Sequence, residues 1–397
     1  MANGNFNNLN FVDHKETKDA KSTIRGLRSP DVGGYMDTDP QVSSSFLDFA
    51  TLNLVVEAKI NPDDDPFIDE AALEDYKHFL GLKPGQKDAS RRRVAAQGQL
   101  VAYATEVFNH QHRTHLFMIL LHKRHARIFR FERSGAVVTE RIPYKEQGHV
   151  LVEFLWKYSQ MTRAEQGFDP TVTLATEAES ARAKEALIEF YPDNKLERPV
   201  CKVQLFETHN TPGKEESNAE EVKHEVLVWI PLADSSVVGR GTRGWPALDV
   251  KSGDVGFLKD SWRDEALYPE FETLRELNTA SIPHVPTLIC GGLVLDHATT
   301  IHAYAGRDWR IRHVSPDIVY HEPIVKRLHQ RQFTGEVSVP LKLFKSSYDL
   351  LSIVYDAFLG EFPNNCKTIF LTSAVQRTKE LTRPSASFTA MSVRETS

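Results

Sequence analysis

The sequence lacks any apolar run that could cross a membrane. No stretch of about 18 consecutive apolar residues, the minimum for a spanning helix, occurs in its 397 residues. The opening residues, MANGNFNNLNFVDHKETKDAKS, also lack the apolar core of a secretory signal. We therefore expect a protein of the cytoplasm or the nucleus without a membrane partner.

Cysteine is scarce, and neither sign of charge dominates. Cys201, Cys290 and Cys366 are too far apart for a disulfide framework or a zinc motif, which fits a reducing compartment. The net charge of −6 creates no general attraction to nucleic acid or to anionic lipid. With 41% hydrophobic and 26% charged residues, the composition is that of a globular chain with room for two or three domains.

Three glycines in the second half follow the spacing G-x-G-x-x-G: Gly239, Gly241 and Gly244. This spacing also occurs in tight hairpins, so the flanking segments must decide its meaning. A strand pattern precedes the glycines at 224–232, and Pro246 follows where a dinucleotide-binding fold would need a helix. A glycine loop between two strands is instead typical of the loop that covers the phosphates of ATP in protein kinases.

The residues after the loop extend this pattern. A turn at 251–254 leads into the short apolar run VGFLK, which ends at Lys259. The segment 268–278 then has helical spacing, and a kinase uses a glutamate of such a helix to hold the strand lysine on the phosphates. Glu270 is the predicted partner of Lys259, and Glu272 is the alternative.

A second constellation of residues lies in the first half. Asp31 follows Pro30, and Glu57 and Lys59 stand two apart on a predicted strand, so that both side chains lie on one face. Gln99 falls on the helix that follows. This is the arrangement of PD-(D/E)xK nucleases, in which two carboxylates hold Mg²⁺ and the lysine stabilises charge or orients water.

These residues also have a simpler interpretation. Charges alternate on many surface strands and Pro-Asp pairs are common in turns, so Glu57 and Lys59 are also explained as a charged strand face. The order strand, helix, strand, strand favours the nuclease-like fold, but the sequence alone favours an inactive domain. Asp31 and Glu57 are the candidate metal ligands, and convergence of both with Lys59 and Gln99 at one sheet edge tests the idea.

Segments spread over residues 30–360 match one family in detail. They are PDDDPFID, GQLVAYATEVFNHQHRTHLFMILL, FRFERSGAVVTERI, LVEFLWKYS, GRGTRGWPALDV, FLKDSWR, PEFETLRELN and VPTLIC. On these segments, of which QHRTHLF and RSGAVVTE are the most specific, the chain resembles the fungal-type protein kinase family. The resemblance implies a kinase-like module with an N-terminal flanking region, ATP and Mg²⁺ as cofactors, and phosphorylation of serine or threonine in proteins.

The resemblance also implies a role for single residues. Gly239, Gly241 and Gly244 match the phosphate loop, Lys259 matches the strand lysine and Glu270 matches its partner. The family pattern continues with a histidine-arginine-aspartate loop and an aspartate-led magnesium motif, and neither occurs in the 397 residues. Because those motifs supply the base and the metal-binding groups, we expect weak or absent ATP binding and no phosphotransferase activity.

The predicted fold class is α+β, with an N-terminal mixed α/β domain of the PD-(D/E)xK nuclease-like type before a protein-kinase-like N-lobe and part of a C-lobe. The predicted domains are a disordered tail at 1–28, the nuclease-like domain at 29–165, a connecting segment at 166–199, the partial kinase-like domain at 200–358 and an irregular or disordered tail at 359–397. Three functions stay open: an inactive scaffold for an unknown protein partner, a nuclease-like or nucleic-acid-associated first domain, and a kinase whose gene product continues further.

Overall fold

The chain folds around two seven-stranded sheets. The computed structural model describes residues 8–14, 29–36, 47–61, 64–67, 69, 87–191, 198–208, 222–232, 236–307, 324–337, 345–359 and 390–393. Its mixture of sheets and a few helices is that of a kinase-like α+β protein. No helix within these ranges is long and apolar enough to cross a membrane.

The elements of the first half are β1 (Leu9–Asp13), β2 (Val32–Met36), β3 (Leu54–Lys59), α1 (Lys87–His110), β4 (His115–His122), β5 (Ala126–Glu132), β6 (Gly135–Thr139) and α2 (Gly148–Gln160). The elements of the second half are β7 (Val172–Leu174), α3 (Glu177–Leu187), β8 (Cys201–Phe206), β9 (Val222–Val228), β10 (Arg243–Asp249), β11 (Val255–Asp264), α4 (Glu270–Thr279), β12 (Leu288–Ala298), β13 (Arg327–Thr334), α5 (Ser347–Leu359) and β14 (Ala390–Val393). Short 3-10 helices lie at Ile188–Phe190 and Ile301–Arg307.

The first sheet has the strand order β1-β2-β3-β4-β5-β6-β14. β3 and β4 pair in parallel, with Glu57 opposite Leu120, and α1 supplies the crossover that a parallel pair requires. The apolar stripe of α1 packs against this sheet because Leu100, Tyr103 and Phe108 recur at helical spacing and are fully buried. The helix therefore carries the side chains on its buried face to the sheet near the end of β3.

The second sheet is antiparallel and has the order β12-β13-β11-β10-β9-β8-β7. Its central strands lie in the order β9-β10-β11-β13-β12, so that β11 pairs with both β10 and β13. The β10–β11 hairpin turns at Gly253, whose φ of +80° lies in the left-handed region that favours glycine. α4 buries Phe271, Leu274 and Leu277 and packs on β12, which fixes its first turn beside the sheet.

Three of the predicted boundaries differ from the structure. β1 lies inside the predicted N-terminal tail, because Leu9 is buried and pairs with Met36. The predicted connecting segment contains β7 and α3, and α3 begins at a capping box formed by Thr176 and Glu179. In the predicted C-terminal tail, β14 pairs in parallel with β6. The remainder of the two predicted tails, at 15–28 and at 360–389, lies outside the described residues.

The two halves are joined by buried arginines at the end of α1. Arg243 donates to the carbonyl oxygens of Phe108 and Gln111, both at 3.1 Å. Arg198 donates to the carbonyl oxygen of Asn109 at 3.2 Å. The last carbonyls of a helix have no partner within the helix and carry partial negative charge, so cations from the second half complete the end of α1.

Candidate functional site

The predicted lysine and glutamate of the kinase-like half form an ion pair. Lys259 lies on β11, and its Nζ is 2.5 Å from the carboxylate of Glu270 in the first turn of α4. Gln332 on β13 donates to the same carboxylate at 3.2 Å. Glu272, the alternative partner, instead pairs with Arg275 of its own helix at 2.5 Å. The geometry thus joins β11, α4 and β13 through the side chain of Glu270.

The ion pair of Lys259 and Glu270 is fixed by hydrogen bonds but is partly exposed to solvent. The Glu270 side chain is 45% exposed, whereas the Lys259 side chain is 16% exposed. Burial by itself would raise the pKa of Glu270, but Lys259 and then Gln332 outweigh this effect and lower it. Glu270 therefore stays ionised at neutral pH, and it holds the Lys259 side chain beside the glycine loop.

The glycine loop connects β9 to β10 and has two different faces. Gly239 has a φ of +109°, and an added Cβ would meet nothing within 4 Å. Gly241 has a φ of +48°, and its Cβ would lie 2.8 Å from side-chain atoms of Arg133. The space beside the Gly239 Cα is thus open, whereas Gly241 lies against the first domain. Gly244 is the second residue of β10 and lies opposite Lys259.

The loop is docked in the first domain by Arg133 and Val237. The Arg133 side chain donates to the carbonyl oxygens of Ser236 and Val237 at 2.8 and 3.3 Å, and its own carbonyl accepts from the Gly239 N–H at 2.8 Å. Arg133 also lies over the ring of Phe108 at 4.4 Å. Val237 is 1% exposed and belongs to the hydrophobic core of the first sheet and α1. The first domain therefore fixes the conformation of the loop.

Sequence reasoning found the glycines of this loop but missed the residues that hold it. Arg133 and Val237 are separated by more than 100 residues in the chain, and no local periodicity links them. One signal was available, since Arg133 begins the segment RSGAVVTE, which is among the most specific in the family resemblance.

The four candidate residues of the first domain lie together where β3 ends. Lys59 Nζ is 2.5 Å from Glu57 Oε1 and donates to Gln99 Oε1 at 2.9 Å. Asp31 Oδ2 accepts from the N–H of Ala58 at 2.7 Å, which places Asp31 beside the backbone of the Glu-x-Lys strand. The structure thus brings Asp31, Glu57, Lys59 and Gln99 into one constellation.

Tyr103 completes this constellation and was not among the predicted residues. It lies one turn after Gln99 on α1, and Gln99 Nε2 donates to its hydroxyl oxygen at 2.5 Å. The Tyr103 hydroxyl donates its proton to the carbonyl oxygen of Ser29 at 2.8 Å. Burial and then the nearby Glu57 carboxylate raise the pKa of Tyr103 far above its ordinary value. The i, i+4 spacing from Gln99 was the available signal.

Glu57 is the most buried of the four predicted residues of the constellation. It is 3% exposed, and its Oε2 atom is buried without a hydrogen-bond partner among the described residues. Burial raises the pKa of Glu57, Lys59 opposes this shift, and the negative charge of Asp31 adds to it. The two carboxylates are therefore close enough to repel each other, and Lys59 neutralises only part of their charge.

Two other clusters each place one aspartate beside two histidines, with potential ligand atoms within 4.8 Å of one another: Asp65, His122 and His125; and Asp169, His297 and His329. Asp65 already accepts from Arg127 at 2.9 Å and from Arg141 at 3.0 Å. Asp169 accepts from Arg331 at 2.5 Å. Because arginine occupies each aspartate, we interpret both clusters as buried ion-pair networks rather than as metal sites.

The comparison with protein families covers the kinase-like half and part of the first domain, whereas Asp31, Glu57 and Lys59 lie outside the matched residues. A model of the fungal protein kinase family matches residues 69–361, which is most of the chain. The chain therefore belongs to the fungal protein kinase family, whose members are kinase-like proteins that in general use ATP and Mg²⁺. No curated protein and no solved structure matches the chain.

Proposed function

We propose that the second half of this chain is a nucleotide-binding module in which Lys259 and the glycine loop hold the phosphates of ATP. The single observation that carries the proposal is the ion pair of Lys259 with Glu270 at 2.5 Å, beside a loop whose first glycine is open. In protein kinases, the same pair must be in place before the lysine can neutralise phosphate charge. The family activity is the ATP-dependent phosphorylation of serine or threonine in proteins.

The described residues fit the phosphate part of the nucleotide. Lys259 supplies a fixed positive charge, and Glu270 and Gln332 orient it through the contacts given above. Gly239 leaves room for a phosphate group beside its Cα, because an added Cβ would meet nothing within 4 Å, although its own N–H is bonded to the Arg133 carbonyl oxygen. Bound as its Mg²⁺ complex, ATP would supply the transferable phosphoryl group, while these residues bind and orient its phosphates.

The transfer step needs groups that the 397 residues do not contain. A kinase takes the proton of the substrate hydroxyl with the aspartate of a histidine-arginine-aspartate loop and binds Mg²⁺ through a further aspartate and an asparagine. Neither loop motif is present in the sequence. We therefore propose that this chain, as its sequence stands, binds nucleotide without transferring phosphate.

The first expected result is weak binding of ATP by the full chain. In a calorimetric titration with ATP and Mg²⁺, we expect a dissociation constant in the micromolar range or weaker, because the described residues fit only the phosphate part of the nucleotide. Lys259→Met should weaken binding by about tenfold or more, since a hydrogen bond to a charged group contributes about 1.5–3 kcal/mol. Lys251→Met, at an exposed lysine of the same hairpin, is the matched control and should leave binding unchanged.

Two outcomes of this titration would contradict the proposal. Sub-micromolar affinity would mean that unidentified residues complete the site. Complete absence of binding, or equal binding by wild type and Lys259→Met, would show that nucleotide binding at this site is not a function of the chain. The alternative of a non-catalytic interaction protein would then be the better explanation.

The second expected result is the absence of phosphotransferase activity. With labelled ATP and generic protein substrates, the wild-type chain should incorporate no more label than Lys259→Met. The reason is the missing base and metal-binding groups, whose loss removes most of the catalysis. A reproducible excess of label in the wild type would show that another residue of this chain supplies the base.

A further inference from the structure

We propose that the first domain binds a divalent cation, Mg²⁺ in the cell, through Asp31 and Glu57, and uses it to hydrolyse phosphodiester bonds of a nucleic acid. This activity is independent of nucleotide binding by the second half. It concerns a separate constellation, built on β3 and α1, that the kinase-like function leaves without a role.

The burial of Glu57 argues against a merely charged strand face. Side chains alternate along a strand, and here Ala58 is exposed while Glu57 is 3% exposed. A charge on a surface strand would keep its contact with water, whereas Glu57 has been removed from water beside a second carboxylate, Asp31. Buried charges of this kind are costly unless a counter-charge stabilises them.

The counter-charge that is present satisfies only one oxygen of Glu57. Lys59 binds Oε1, and Oε2 is buried without a hydrogen-bond partner among the described residues. Tyr103 also interacts with the Glu57 carboxylate, but its single hydroxyl proton is donated to the carbonyl oxygen of Ser29 at 2.8 Å. A buried acceptor without a partner costs free energy, and a metal ion bound at Oε2 would remove that cost.

The set of donor atoms suits Mg²⁺ in particular. Mg²⁺ is held in proteins by one or two carboxylates and completes its shell with water and substrate phosphate oxygens. Asp31 and Glu57 provide two carboxylates, and the half-buried position of Asp31 leaves an approach from solvent. Softer metals favour histidine or cysteine ligands, whereas the two candidate ligands here are both carboxylates.

Lys59 and Gln99 fit the needs of phosphodiester hydrolysis. Gln99 on α1 accepts a hydrogen bond from Lys59 at 2.9 Å. The ammonium group is therefore held between the amide oxygen of Gln99 and the carboxylate of Glu57. An ammonium group held beside a metal stabilises the negative charge that develops on phosphate oxygens. We assign Gln99 as a positioning residue, because it acts on the reaction only through Lys59.

The reaction consumes only water and the phosphodiester. The water oxygen forms a new bond to phosphorus, and the bond between phosphorus and one sugar oxygen breaks. The electron pair of the broken bond leaves with that sugar oxygen, which takes one proton and becomes a hydroxyl. The other product is a phosphate monoester, and the second water proton remains on it or passes to solvent.

The face of α1 that carries Gln99 favours a polymer over a small phosphate ester. Arg92 precedes Gln99 by seven residues and is exposed, so it lies on the same helix face about 10 Å away. That distance corresponds to about three nucleotides at the axial spacing of about 3.4 Å within one strand. A chain of phosphates bound at the metal would therefore also reach Arg92. Arg91 is rotated by about 100° from Arg92 around the helix axis, so it does not lie on this face.

The metal site is tested by titrating the full chain with Mn²⁺ in the absence of nucleotide. Wild type should bind at one site in the first domain, and Glu57→Gln and Asp31→Asn should each weaken that binding by more than about 100-fold, since even outer contacts of a metal ligand contribute about 10–100-fold. Lys251→Met is the control and should bind Mn²⁺ as the wild type does. Equal Mn²⁺ binding by wild type and Glu57→Gln, or no binding at all, would overturn the metal site.

Hydrolysis is tested with Mg²⁺ and labelled oligonucleotides of one sequence, as double-stranded DNA, single-stranded DNA and RNA. We expect cleavage of at least one, a loss of more than about 100-fold in Glu57→Gln, and a loss of about 10–100-fold in Gln99→Leu without an equal loss of Mn²⁺ affinity. Arg92→Gln should weaken oligonucleotide binding more than Arg91→Gln does, and neither should change Mn²⁺ affinity. The three substrates identify the nucleic acid.

The outcomes of this assay separate the two parts of the proposal. Mn²⁺ binding without cleavage of any oligonucleotide would overturn the hydrolytic activity. Cleavage that persists in Glu57→Gln would show that the activity comes from elsewhere. Circular dichroism checks the fold of each variant, and if Glu57→Gln fails to fold, the half-buried Asp31→Asn decides the result.

Discussion

Arg331→Met is expected to lower the free energy of unfolding by about 3–5 kcal/mol, the range for removing one partner of a buried ion pair. Arg331 is 1% exposed, and its guanidinium donates to Asp260 at 3.0 Å and to Asp169 at 2.5 Å. Without it, Asp169 loses its main counter-charge and Asp260 loses one of the cations that stabilise it. Urea denaturation followed by tryptophan fluorescence measures the effect, because Trp262 stacks on His329 within the same cluster at 4.5 Å.

An exposed arginine provides the matched control for this substitution. The Arg91 side chain is 81% exposed and lies 3.9 Å from Asp88, so Arg91→Met should change stability by less than about 1 kcal/mol. If Arg331→Met unfolds at the same urea concentration as Arg91→Met, the buried network does not have the role assigned to it.

The difference between wild type and Arg331→Met should shrink as the pH falls. Burial by itself would raise the pKa of Asp260, but His329, Arg331 and Arg243 together hold it well below its ordinary value. A carboxylate with a lowered pKa stabilises the fold above its unfolded-state pKa of about 3.9, and this stabilisation is lost as the pH falls below it. Repeating the denaturation between about pH 7 and pH 3 should therefore show the two unfolding curves approaching each other.

Val237→Asp is the second substitution with a large expected effect. Val237 is 1% exposed in the core of the first domain, although it belongs to the glycine loop of the second half. A carboxylate at this position would be buried without a partner, which should cost roughly 3 kcal/mol or more. Because the same residue anchors the glycine loop, limited proteolysis should also cut the loop faster in this variant.

An exposed valine tests whether the effect comes from burial. Val152 on α2 is 52% exposed, so Val152→Asp should change stability by about 0.5 kcal/mol or less. If Val237→Asp and Val152→Asp unfold at the same urea concentration and are cut at the same rate, the glycine loop is not docked in the first domain as described.

The sequence was sufficient to predict contacts between residues that lie close together in the chain. Lys259 and Glu270 are 11 residues apart. The order of strand, turn, strand and helix after the glycine loop was enough to choose Glu270 as the partner. Glu57 and Lys59 share a strand face for the same local reason. Both pairings follow from periodicities of two and of 3.6 residues, which a single sequence displays directly.

The features that sequence reasoning missed depend on contacts between distant segments. The residues next to Val237 in the sequence do not distinguish it from other loop residues, and only the packing of the first domain shows that it is buried. β1 was hidden because it is short and lies within a mostly polar stretch, and the burial of Leu9 depends on pairing with β2. α3 was recognisable from the capping box at Thr176 and Glu179, but its composition of alanine and glutamate suggested a linker.

The insertion of Val237 into the first core has a consequence during synthesis on the ribosome. Val138, near the end of β6, also belongs to that core, and 99 residues separate it from Val237 (237 − 138). At about 5–20 residues per second, the nascent chain waits about 5–20 s before the residue that completes the core has been added. During this interval the core of the first domain lacks Val237, and its neighbouring apolar side chains stay more exposed. We therefore expect the newly made first domain to be more prone to aggregation until the glycine loop has been added.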